Sequence, residues 1–204
     1  TPFDFATNFR DVYVDDSGNG WAVGTCNVLA RTANNGQEWE LLSAPEGLDF
    51  DVVACKPGTD CQTVFLGIDN RILRSTDGGE NWSSTEIAYT AGREFHFLEN
   101  DVIMLSHNES GYLRSTDGGD TWTSPRWVSA GNLEGRDPTI AISNDGHRVM
   151  IAWESFDHAG AWSAQVVRSD DGGKSWSDPV SVSKQHADKV DGTKVVLSGD
   201  GRTS

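Results

Sequence analysis

Short apolar runs separated by glycine- and aspartate-rich turns fill this 204-residue chain from end to end. DVYVDDSGNGWAVG (11–24) reads as a strand, a Gly-rich turn and a second strand. TIAISNDGHRVMIAW (139–153) repeats that plan, with Asn144-Asp145-Gly146 as the turn. TVFLG (63–67), VIMLS (102–106) and AQVVRS (164–169) are further strand-like runs. Nowhere do apolar residues recur at the three-to-four-residue period of an amphipathic helix. The pattern predicts an all-β chain.

A nine-residue phrase punctuates the strands. RSTDGGENW (74–82), RSTDGGDTW (114–122) and RSDDGGKSW (168–176) are near-copies, and RTANNGQEW (31–39) is a weaker fourth. Their closing tryptophans, Trp39, Trp82, Trp122 and Trp176, stand 43, 40 and 54 residues apart. A phrase returning at that interval marks one duplicated supersecondary unit, stable only when stacked beside its siblings. The spacing accommodates four strands per unit. Within the phrase, Ser75 and Asp77, Ser115 and Asp117, and Ser169 and Asp171 sit two apart, where both side chains can bond the main chain of a tight turn. Gly79, Gly119 and Gly173 supply positive φ, and Trp82, Trp122 and Trp176 return as apolar anchors against a neighbouring strand. Thr32, Asn34, Gly36 and Trp39 keep these roles with weaker chemistry.

The phrase resembles the Asp-box, Ser-x-Asp-x-Gly-x-Thr-Trp, of the bacterial neuraminidase repeat. The resemblance implies a sialidase-like β-propeller of four-stranded blades, with the boxes as structural hairpins away from any catalytic pocket. The units read as blades at about 8–45, 48–88, 92–130 and 134–184 within one domain spanning 1–204. VDGTKVVLSGDGRTS (190–204) matches the opening of the fourth unit and reads as the start of a further blade. The expectation is therefore about four blades of a six-bladed or larger ring. The alternative is a closed four-bladed ring in which 190–198 completes the first blade.

In a propeller the first strand of each blade lines the channel, so residues leading into it converge. Arg10, Arg93 and Arg136 occupy that lead-in. Three guanidiniums there would form a carboxylate clamp, as the arginine triad of sialidases does. Arg136-Asp137-Pro138 is similar to the Arg-Ile-Pro that opens the sialidase catalytic domain, and the match puts the acid/base aspartate at Asp157. The resemblance thus names Arg136 and Asp157 as catalytic, with ligand-binding roles for Arg10, Arg93 and Arg136. The family's tyrosine and glutamate nucleophile pair has no assigned counterpart, and Gly135 and Asp137 depart from its pattern. Glu154 and Asp157 also fit as solvated loop acids. Trp162, in the insertion that lengthens the fourth unit, is a candidate stacking platform for a sugar ring. The five histidines show no ligand spacing, and no metal or cofactor is expected.

Composition narrows the classes. The 31 acidic against 16 basic residues give a formal net charge of −15, which opposes binding to nucleic acid or an anionic membrane. No apolar run approaches a membrane span, so no membrane insertion is expected. Cys55 and Cys61 flank a turn-forming Lys-Pro-Gly-Thr-Asp, and a disulfide between them is the preferred pairing; Cys26–Cys55 and three reduced thiols are the alternatives. A disulfide fits a secreted, extracellular or periplasmic location. The sequence reads as a glycan- or protein-binding scaffold with its ligand on the channel face. An exo-sialidase-type glycoside hydrolase is the alternative. GWAVG (20–24) resembles phrases of the photosystem assembly factor and supplies a third option.

Overall fold

The computed structural model describes residues 8–44, 49–87, 92–107, 111–129, 134–156, 161–183 and 192–197, with the backbone alone at 92, 93 and 134. Among them are sixteen strands in four antiparallel four-stranded sheets and no helix. Blade one is β1 (Phe9–Val14), β2 (Gly20–Gly24), β3 (Leu29–Thr32) and β4 (Glu40–Leu41). Blade two is β5 (Val52–Cys55), β6 (Val64–Ile68), β7 (Arg71–Ser75) and β8 (Ser83–Glu86). Blade three is β9 (Gly92–Phe97), β10 (Ile103–His107), β11 (Gly111–Ser115) and β12 (Arg126–Trp127). Blade four is β13 (Glu134–Ile142), β14 (Val149–Phe156), β15 (Trp162–Ser169) and β16 (Val180–Ser181). Strands are ordered within each sheet as they are in the chain. Residues 192–197 carry no strand. The chain divides into two compact units, Thr1–Phe95 and His96–Ser204.

Burial explains the strand sequences. β2, β6 and β10 are covered on both faces and read as unbroken runs, GWAVG, VFLGI and IMLSH. β1 alternates between half-buried and exposed, so Asp11 and Tyr13 turn inward while Val12 and Val14 face out. In the first unit Trp21, Val23 and Leu29 of blade one pack with Phe50, Val53, Val64 and Leu66 of blade two. Cys55 and Cys61 belong to this core and are bonded to each other, with Cα atoms 5.0 Å apart. In the second unit Met104 and Tyr112 of blade three pack with Ile140, Ile151, Trp153 and Val167 of blade four.

One register recurs in every blade. The arginine that opens each phrase lies opposite a large apolar residue of the second strand: Arg31 faces Trp21, Arg74 faces Phe65, Arg114 faces Met104 and Arg168 faces Met150. One main-chain bond recurs too. The residue before the last Gly of each phrase donates its N–H to a carbonyl near the first turn of its own blade: Asn35 to Gly18, Gly78 to Gln62, Gly118 to Asp101 and Gly172 to His147, each at 2.9 Å. Both hairpin turns of a blade are thereby held at the same end. The opposite end is left to the starts of the first and third strands.

Candidate functional site

The repeated phrase is a closed hydrogen-bond device. Ser75 Oγ donates to Asp77 Oδ1 at 2.8 Å and accepts from the N–H of Gly79 at 2.8 Å. The same Asp77 oxygen accepts the N–H of Asn81 at 2.9 Å, and Trp82 Nε1 donates to the Gly79 carbonyl at 3.0 Å. Ser115, Asp117, Thr121 and Trp122 repeat this, as do Ser169, Asp171 and Ser175. Even the weak copy holds the geometry, Thr32 donating to Asn34 at 3.0 Å and Asn34 accepting the N–H of Glu38 at 2.9 Å. The bonds from Asn81 N–H and side chain and from Ser75 hold the Asp77 carboxyl at about 2, against an ordinary 3.8. The Thr121 hydroxyl and N–H do the same for Asp117, also about 2, and the Ser175 hydroxyl and N–H lower Asp171 further. Such acids stay ionised and occupied. They are turn locks, unsuited to proton transfer at neutral pH. The Asn81 side chain is itself engaged, its amide donating to Asp77 Oδ2 at 2.8 Å.

Two of the boxes, those of blades two and four, also grip the preceding blade, which the sequence reading did not anticipate. In the first unit the Trp82 ring meets Trp21 edge-on, centroids 6.0 Å apart. Gly79, at φ +89°, presses so closely on Trp21 that a Cβ would enter the indole. In the second unit Gly173, at φ +79°, lies against Met104, and a Cβ there would stand 3.1 Å from its sulfur. Trp176 differs from its siblings: its Nε1 donates 2.8 Å to the Tyr112 hydroxyl, and that hydroxyl donates to the Gly173 carbonyl at 3.2 Å.

The three lead-in arginines have different surroundings. Arg10 is ion-paired with Asp51 and, at 3.6 Å, with Asp49. A ligand carboxylate would have to displace both. Beside it, Asp11 bridges β1 to β5 by accepting the N–H of Val53 at 2.8 Å. Burial pushes the Asp11 carboxyl above its ordinary value, opposed by the N–H bonds from Val53 and Val12. Arg93 lies on β9, and only its backbone is described. Arg136 lies on β13, its guanidinium carbon 5.7 Å from the centroid of the Trp162 ring.

Around Arg136 blade four gathers an unusual corner. Trp162 opens β15 and packs at 4.9 Å and 47° against Phe156, its partner at the end of β14. β13 is irregular between Arg136 and Thr139, and Asp137, just before Pro138, has φ +48°. A non-glycine residue held there is strained, and such strain concentrates at functional sites. Opposite Arg136 in the β13–β14 register, and opposite Ala164 in β15, stands Glu154. Its side chain is wholly buried, and neither carboxylate oxygen has a hydrogen-bond partner among the described residues. The expectation of a solvated loop acid is therefore corrected for Glu154: it is a mid-strand, buried acid. A strand covered on both faces holds it there between the buried Trp153 and Ser155, and an acid inside the run VMIAWESF was the signal that could have found it. Buried carboxylates without partners are costly and call for a functional account. Asp157, like His158 and His186, lies outside the described residues. Among the described residues no group of three or more His, Cys, Asp or Glu is placed to hold a metal ion, and no helix is long and apolar enough to cross a membrane.

The BNR/Asp-box repeat profile matches residues 73–84 and 167–178, the boxes of blades two and four. No curated protein matches the sequence. An ancestral GH74 enzyme is similar in structure over 97% of this chain at 15% identity and TM-score 0.63, yet the chain spans only 28% of that enzyme. A chain of the nidogen/laminin complex is similar over 85% of this chain and 80% of its own, at 11% identity and TM-score 0.55. YCF48 bound to D1 peptide is similar over 83% and 81%, at 15% identity and TM-score 0.50. Likeness at such identities speaks for the fold alone. Among the described residues, four four-stranded blades, each closed by the same Ser/Thr–Asp/Asn device, give this chain BNR/Asp-box repeats on a β-propeller fold.

Proposed function

We propose that the chain is an extracellular or periplasmic glycan-binding scaffold whose ligand site is the Arg136–Trp162 corner of blade four. The observation that carries the reading is the guanidinium over the indole, 5.7 Å from its centroid, beside Phe156 and the buried Glu154. A half-buried indole offers a sugar the flat apolar face it needs, and an exposed guanidinium offers a forked donor pair to a carboxylate. The chemistry fits an acidic sugar such as a sialoside. Arg10, paired with Asp49 and Asp51, is not part of this corner. The disulfide supports the oxidising compartment.

A protein-binding role is the second reading. Phe9, Val12 and Val14 of β1 are 49%, 59% and 40% exposed, an apolar strip along the first strand of blade one. YCF48 with D1 peptide and the nidogen/laminin complex are fold relatives with protein partners, by their names. The GWAVG phrase adds little to the assembly-factor option, since all five residues are buried in β2 and serve packing.

Titrating the protein with sialyllactose tests the proposal. Binding that Trp162→Ala and Arg136→Ala each weaken at least tenfold supports it, and a folded protein indifferent to sialosides refutes it. A fluorogenic sialoside assay beside Asp157→Ala separates scaffold from exo-sialidase; the scaffold reading expects no turnover.

A further inference from the structure

Trp39 is the box tryptophan that does not follow its siblings. Trp82 and Trp122 donate their indole N–H to the glycine carbonyl of their own box, and Trp176 donates to Tyr112. Trp39 makes no such bond to the described residues, and what lies nearest Gly36 is the Trp39 ring of its own box, where Gly79 and Gly173 press on another blade. The ring instead stands between two hollows. One, of about 420 Å³, is floored by Phe9, Val12 and Ala22. The other is a cleft of about 860 Å³ running between the box of blade one and residues 60–62 and 78 of blade two, all within the first unit. That volume lies inside the roughly 300–1,000 Å³ of ordinary ligand sites.

We infer that this rim cleft is a second binding site, specific for uncharged saccharides, with Trp39 as its stacking face. Its walls carry the planar amides of Asn34, Gln37 and Gln62 and the carboxylates of Glu38 and Asp60. Planar amides and carboxylates are the groups that pair with adjacent sugar hydroxyls, offering donors and acceptors at fixed spacing. An indole supplies the apolar surface for the C–H face of a pyranose, and its N–H remains available to a ring substituent. Charge selects among sugars. Arg31, the cation of the cleft, is taken by Glu40 at 2.8 Å and by the Gly78 carbonyl at 3.3 Å. Glu38 and Asp60 have no cation among the described residues, each accepting only neutral donors, from Asn34 and Ser17. A sialate or uronate would meet two carboxylates with no counter-charge and is excluded. The weak chemistry of the first box thereby acquires a purpose: the side chains that relax its lock line the cleft.

The site is independent of the blade-four corner, and the test keeps the two apart. The full chain is titrated by calorimetry with the hexasaccharides of cellulose, xylan and mannan, at low and high salt. At least one binds, with affinity unchanged by salt. Trp39→Ala and the milder pair Gln37→Ala and Asp60→Asn each lower that affinity at least tenfold, while sialyllactose binding keeps its wild-type affinity. Trp162→Ala leaves the neutral hexasaccharide untouched. Loss in Trp39→Ala alone, with the milder variants binding as wild type, overturns the inference, as do hexasaccharides that fail to bind a folded protein. A salt-sensitive complex with a lysine-rich peptide that Glu38→Gln and Asp60→Asn abolish, and that neutral sugars do not displace, also overturns it, because the cleft would then be a cation-reading peptide groove.

Discussion

Replacing Tyr112 by Phe removes one oxygen and keeps a ring, yet that oxygen joins two blades. The side chain is 1% exposed, and its hydroxyl accepts from Trp176 Nε1 and donates to the Gly173 carbonyl. Phe preserves the tilted ring packing on Trp176, whose centroid is 5.3 Å away. Two bonds vanish together. Each is worth about 1 kcal/mol net, and leaving a buried group unsatisfied raises the loss to roughly 1–3 kcal/mol. Tyr112→Phe is therefore expected to cost roughly 2–3 kcal/mol in urea denaturation, and to lower Tm by about 5–10 °C for a chain of this length. Tyr13→Phe serves as the control, since no hydrogen bond of the Tyr13 hydroxyl holds a box in place. Pairing Tyr112→Phe with Trp176→Phe in a double-mutant cycle should return a coupling of at least ~1 kcal/mol. A loss under ~0.5 kcal/mol, or strict additivity in the cycle, would refute the claim that boxes lock blades to their predecessors.

Gly79→Ala should destabilise by more than ~2 kcal/mol, because a positive φ and a collision with Trp21 add up. Gly58→Ala, at φ +74° with open space around it, should lose only the roughly 1 kcal/mol backbone part; equal losses would deny the collision. The box aspartates predict an acid limb. Their folded values lie below the ordinary 3.8, so their contribution is whole above that pH and fades as pH falls towards about 2 through Asp77 and Asp117. Asp117→Asn should flatten a stability-against-pH curve between pH 4 and 2, and an unchanged curve would contradict the assignment. Glu154→Leu should stabilise the fold by ~1 kcal/mol or more by removing an unpartnered buried acid, while weakening sialyllactose binding. Lower stability would mean the carboxylate has a structural partner.

The fold was legible because its punctuation is local. A box needs only Ser, Asp, Gly and Trp at fixed offsets, and hydrogen bonds within seven residues build it. The 40- to 54-residue spacing of the boxes left room for four strands per unit, which the sheets contain. What the sequence could not display is contact between units. Nothing near Tyr112 marks it as the partner of Trp176, 64 residues on. Nothing near Arg10 announces Asp49 and Asp51. Trp39 looked like a poor copy of an anchor, and its place between two hollows emerges only when blade two is set beside it. Glu154 was misjudged because a strand covered on both faces can carry an acid inward, against the tendency of acids to be exposed.

The most direct measurement follows the indole N–H resonances of the eight tryptophans in a ¹H–¹⁵N spectrum during titration with sialyllactose. The account predicts that the Trp162 signal moves in a saturable way while those of Trp21, Trp82 and Trp176, packed in blade-to-blade joints, stay fixed. A Trp162 signal that stays in place at saturating ligand, or a shift shared by all eight, would contradict the blade-four site.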